Sequence, residues 1–88
     1  MFSLGQVVAT PGALTALEAS NQAPDTFLRL HAQGDWGDVC EEDKRLNDQA
    51  LIDGTRLLSS YMTANKVKIW IITEADRSST CILLPSEY

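Results

Sequence analysis

The chain has little of what catalytic and metal centres are usually made from. Its 88 residues include one histidine, His31, and two cysteines, Cys40 and Cys81. Without CxxC spacing the two thiols offer neither a disulfide framework nor a thiolate zinc site, so they are expected to stay reduced and to pack. No HExxH helix and no EF-hand spacing occurs, and neither a metal nor a cofactor is expected. Long hydrophobic runs are missing as well. None exceeds four residues, as in Ile69 to Ile72, far short of the ~20 that span a bilayer. The opening MFSLGQVVAT lacks the basic flank and long apolar core of a secretion signal, so a cytoplasmic protein without a membrane partner is expected. Basic side chains are scarce too, seven against twelve acidic ones, and the net charge of −5 repels a phosphate backbone. That disfavours general nucleic-acid binding.

The acidity is concentrated. Residues 1–54 hold nine acidic and three basic side chains, residues 55–88 three and four. The apolar fraction of 44% and the length fit one domain over residues 1–88 with one hydrophobic core. Gln6 to Ala9 reads as a short strand, and Thr10-Pro11 as a helix start in which a hydroxyl caps and a proline occupies the first position. Leu14 and Leu17 are expected on the inward side of this helix, with Ser20-Asn21 ending it. Pro24 starts a second helix whose Phe27, Leu28, His31 and Ala32 form one stripe, closed at Gly34. Asp38 and Glu41 have capping-box spacing for a third helix, with Leu46 and Ala50 as its inward seam and Gly54 as its stop. From Arg56 onward the pattern becomes that of strands. RLLSSYMT and VKIWIIT flank a turn at Ala64-Asn65-Lys66, and TCILL follows the loop EADRSS. In the second run Ile69, Ile71 and Thr73 alternate with Lys68, Trp70 and Ile72, the pattern of a central strand. The expectation is an α+β domain: about three N-terminal helices on an antiparallel meander of three to four strands, with the N-terminal strand along one edge.

Two polar concentrations are candidates for function. The first is HAQGDWGD, His31 to Asp38, followed by Glu41, Glu42 and Asp43. Its structural explanation is a helix end at Gly34, a turn, and acids in the first turn of the next helix, where the dipole stabilises them. His31 is then a structural histidine hydrogen-bonded into the GDWGD turn and Trp36 a lid over the core. Its functional explanation makes Asp35, Trp36, Asp38, Glu41 and Glu42 a surface for a protein partner, with Trp36 as the hot spot. The second concentration is Glu74 to Thr80. It is a solvated turn in one view; in the other, Arg77 joins Arg56, Tyr61, Lys68 and His31 on one sheet face to hold a phosphate and move a proton.

The segments LGQVVATPGAL, HxxGDWGD, EEDKRxND and IWIITEADRSSTCILLPSEY together resemble a family of small bacterial proteins carried largely on plasmids and other mobile elements, over nearly the whole chain from Leu4 to Tyr88. The resemblance implies a bacterial cytoplasmic protein of accessory-gene origin and is silent on activity. Helices followed by a meander are also similar to the barnase, colicin and RelE-like ribonucleases and toxins. That likeness implies catalytic roles for His31, Arg56, Tyr61, Arg77 and Thr80, without a metal; the chain's acidity opposes it, and fold does not transmit function. The leading expectation is a non-enzymatic protein-interaction module using the acidic GDWGD segment. A metal-independent ribonuclease is the alternative, and a DNA-binding regulator, for which no basic recognition helix exists, stands last.

Overall fold

Two valines make the first strand, β1 (Gln6–Ala9), and Thr10 ends it by turning to cap helix α1 (Pro11–Ala19). The computed structural model describes residues 2–88. Thr10 Oγ1 accepts the Ala13 N–H at 3.2 Å, and Pro11 has no amide to leave unpaired. The inward side of α1 is Ala13, Ala16 and Leu17, whereas Leu14 points outward at 47% exposure. The spacing of Leu14 and Leu17 predicts both inside; the two alanines take the place of Leu14 because small side chains let the helix lie close to the sheet. Asn21, with φ 57°, breaks α1 in the left-handed region.

Helix α2 (Pro24–Ala32) buries Phe27, Leu28 and His31 and leaves Ala32 half-buried, as the stripe predicts, and Gly34 takes φ 85° just beyond it. Helix α3 (Glu41–Asp53) begins later than its capping-box spacing implies. Its cap residue is Cys40, with no side-chain bond. Asp38 is drawn away because its N–H donates to the Ser60 carbonyl at 2.6 Å. The seam of α3 also differs from expectation. Ala50 is buried, but Leu46 faces solvent and Asn47 is buried next to it. Asn47 is held inward by its amide, which donates to the Leu58 carbonyl (2.7 Å) and accepts the Leu58 N–H (3.1 Å). Gly54, at φ 73°, stops the helix.

Strands β2 (Leu57–Met62), β3 (Lys68–Thr73) and β4 (Ser79–Leu83) form the antiparallel meander, and the sheet order is β1-β4-β3-β2. β1 joins β4 in parallel, so the sheet is mixed rather than wholly antiparallel. The three helices lie between β1 and the meander in sequence and supply the long crossover that a parallel neighbour requires. Leu57, Thr73, Thr80 and Val7 share one row of the helix-facing side, with Ser59, Ile71, Ile82 and Ala9 in the next. Phe27, Leu28, Ala13 and Leu17 pack against Ile69, Ile71, Ile82 and Tyr61 to form the main core. A smaller cluster of Trp36, Ala50 and Leu57 lies under α3. On the opposite face Trp70 meets Tyr88 edge-on at 5.7 Å, and Arg56 lies over the Tyr88 ring.

The two edges of the sheet are treated differently. At β2 the outward backbone of Leu58 is satisfied by Asn47, and that of Ser60 by a short parallel bridge to Gly37, in which the Ser60 N–H reaches Trp36 O at 3.1 Å. These contacts blunt the edge. At β1 no further strand pairs among the described residues. After β4 a single turn, Pro85–Glu87, carries the Glu87 carboxylate back to α1, where it accepts the Gly12 N–H at 3.2 Å and the Thr10 hydroxyl. The Thr10 hydroxyl, together with backbone N–H groups, holds the Glu87 pKa below its ordinary value. Among the described residues no helix is long and apolar enough to cross a membrane.

Candidate functional site

The sole histidine is in the core. His31 is 0% exposed, at the junction of α2 with β2 and β3. Its Nδ1 meets Ser59 Oγ, and its Nε2 lies 2.8 Å from Thr73 Oγ1. Thr73 Oγ1 is in turn 2.8 Å from Thr80 Oγ1, which donates to the Leu4 carbonyl at 2.7 Å. A carbonyl only accepts, and this fixes the direction of the whole chain. Thr80 donates to Leu4, so Thr73 donates to Thr80. The Thr73 oxygen then accepts from His31 Nε2–H, so the network places a proton on Nε2. Burial favours the neutral ring, whose Nδ1 then accepts the Ser59 hydroxyl. Burial, reinforced by the Arg77 guanidinium, lowers the His31 pKa from 6.5 to about 4.

Rings close over this imidazole. Phe2 stands edge-on to it at 5.2 Å, Trp36 at 5.7 Å, and the two stack on each other at 6.2 Å. Arg77 lies 5.8 Å over Phe2, but its N–H groups are committed to main-chain carbonyls: Nη1 to Thr55, Glu74 and Ala75, and Nη2 to Ala50 at 3.0 Å. Arg77 thus ties the last turn of α3 to the β3–β4 loop, a role that neither a phosphate clamp nor pairing with Glu74 or Asp76 anticipates. Asp76 accepts the Ser78 N–H as a turn residue.

The five residues implied by the ribonuclease likeness do not share a cleft. His31 and Thr80 are joined through Thr73, with Arg77 nearby. Tyr61 points its hydroxyl at the Asp35 carbonyl, and burial pushes the phenol up to about 12. Arg56 is on the other side of the sheet, donating to the Tyr88 hydroxyl at 2.8 Å, and Lys68 belongs to that side by strand alternation. Among the described residues no group of three or more His, Cys, Asp or Glu is placed to hold a metal ion. Cys40 and Cys81 are both free, Cys40 on the surface and Cys81 half-buried.

The residues expected at a partner surface divide in two. Asp35, Asp38, Glu41 and Glu42 are all exposed. Trp36 is only 4% exposed, its Nε1–H donating to Asp48 at 3.1 Å, so the indole braces α3 from below and is withdrawn from any partner. The apolar groups beside the acids lie elsewhere: Leu46 at 61% and Ile52 at 79% exposure flank the solvent-facing side of α3, roughly 120° apart around the helix, with Glu41, Glu42, Asp53 and Arg45 also exposed there. The helical spacing of Leu46 with Ala50 predicts a core position for it. The available signal was Asn47 and Ala50, three residues apart, which mark the true inward side once an amide is allowed to face a strand edge. Ser59 and Thr73 were also missed as histidine partners, because their positions depend on strand register. No protein-family model, no curated protein and no solved structure matches the chain.

Proposed function

We propose that the chain is a non-enzymatic protein-interaction module, acting in the cytoplasm, whose binding surface is the outer side of α3 with the acidic turn before it. The partner presents a basic surface with apolar side chains set on it. The observation that carries this is that Leu46 and Ile52, two aliphatic side chains on the flanks of the outer side of α3, are held out in water where carboxylates outnumber the one exposed arginine, Arg45. The opposite side of the helix is held to the sheet edge by Asn47, so the surface is rigid before it binds. Apolar side chains of this size gain about 1.5–3 kcal/mol each when covered. The surrounding acids speed encounter with a basic partner and reject acidic ones. In the plasmid or mobile-element setting that the resemblance implies, the expected partner is a protein whose basic face otherwise handles DNA.

Binding of a fluorescent Lys/Arg-rich amphipathic helical peptide, compared with its scrambled isomer at low and high salt, tests this. Wild type prefers the amphipathic peptide and weakens as salt rises. Leu46→Ser/Ile52→Ser removes the preference and costs about tenfold or more in affinity. Glu41→Lys/Glu42→Lys abolishes the salt-sensitive part. Unchanged binding by both double variants, with the fold intact, contradicts the proposal.

A further inference from the structure

We propose that the open edge of β1 pairs with β1 of a second copy of this chain, giving a two-fold dimer with a continuous eight-stranded sheet. The Gln6 and Thr10 N–H groups donate to Ser78 O and Ile82 O of β4, both at 2.9 Å. Strand alternation therefore turns the N–H and C=O of Val7 and Ala9 to the unpaired side. Antiparallel pairing centred on Val8 lets Val7 of each copy exchange both bonds with Ala9 of the other, and it sets the two Val8 side chains against each other on the open face. Val7 and Val8, exposed at 42% and 44%, would both be covered.

The groove beside this edge identifies the occupant. It is an open trough of about 300 Å³, walled by Leu4, Val7, Leu28 and Ala32, with Asp25 and Arg29 along its α2 side. A two-fold axis through Val8, perpendicular to the sheet, keeps the helices of both copies on one side and runs the two α2 helices antiparallel. Asp25, in the first turn of one α2, then faces Arg29, in the last turn of the other, and the reciprocal pair forms by symmetry. The antiparallel helix dipoles agree with that pairing. An unrelated extended peptide would use the backbone edge, but it would have no cause to match an acid and a base spaced one turn apart. Assembly stops at two, because the pairing consumes the open edge while the β2 edge is covered by Asn47 and Gly37. α3 lies at that far edge, so the dimer leaves both acidic surfaces free.

Sedimentation of the full chain over a range of concentrations tests the dimer independently of partner binding. Wild type is expected to reach a dimer. Asp25→Arg and Arg29→Asp, both at exposed positions, each weaken self-association by about tenfold or more through like-charge contact. Mixing the two single variants yields a heterodimer, and the double swap Asp25→Arg/Arg29→Asp restores the homodimer. A wild type that stays monomeric at its highest soluble concentration overturns the proposal. So do single variants that associate as tightly as wild type, or an edge that takes up extended peptides without self-association.

Discussion

Replacing Gly37 by alanine is expected to destabilise the fold by about 3 kcal/mol or more, while Gly54→Ala costs about 1 kcal/mol. The two glycines have the same φ of 73°, so the left-handed penalty is common to both. They differ in their surroundings. A Cβ on Gly54 meets nothing within 4 Å, whereas on Gly37 it would fall 2.0 Å from the Ser60 carbonyl oxygen and 2.7 Å from the Tyr61 ring. Neither neighbour can yield cheaply. The Ser60 oxygen belongs to β2 and accepts the Asp38 N–H, and the Tyr61 ring is part of the core. The chain must move off the strand, losing both bridge hydrogen bonds and loosening Trp36. For a domain of this length the total stability is about 5–13 kcal/mol, so the loss is a large share of it. Urea unfolding of the two variants beside wild type measures the difference, and equal costs would show that the Gly37 bridge contributes nothing beyond its φ.

Acid should weaken the fold through His31 before any carboxylate contributes. The folded pKa of about 4 lies below the unfolded value of 6.5. Between those values the unfolded chain binds a proton that the folded chain refuses, so stability falls as pH drops through this window and rises as pH climbs. The full difference is about 3 kcal/mol. The depressed carboxyls of Asp76 and Glu87 act in the same direction, but only from the ordinary carboxylate range downward, as their partners Ser78 and Thr10 lose an acceptor. The slope above that range therefore belongs to the histidine. In His31→Gln, which keeps a donor and an acceptor but does not titrate, the slope disappears although the absolute stability is lower. Equal slopes in the two proteins would refute the assignment.

The elements that sequence reveals here are those with local chemistry. Thr10-Pro11, Pro24 and Gly54 bound their helices by capping or by φ restriction, and the alternation in KIWIIT shows a strand covered on both sides. What escapes is decided by partners distant in the chain. The parallel docking of β1 depends on where a three-helix crossover returns it. Asn47 faces inward because a strand edge needs an amide, which displaces Leu46 to solvent. Asp38 leaves its capping role because the Ser60 carbonyl takes its N–H. The acidic surface was legible because charges at a helix start face water for reasons contained in the segment. Its apolar side chains were not, since Leu46 has the spacing of a core residue. The hydroxyl partners of His31, Ser59 and Thr73, come from two strands, and only the register of β2, β3 and β4 brings them to the histidine with Thr80 behind Thr73.

The distinction that organises the molecule is between a sealed, neutral histidine inside and an acidic, partly apolar helix outside. Nitrogen NMR of the His31 imidazole through an acid titration tests it most directly. A ring protonated at Nε2 alone, with Nδ1 accepting, and no titration until the pH approaches about 4, is the predicted result. A ring that titrates near its ordinary 6.5, or that carries its neutral proton on Nδ1, would contradict the buried chain from Ser59 to Leu4 and return His31 to the candidates for proton transfer.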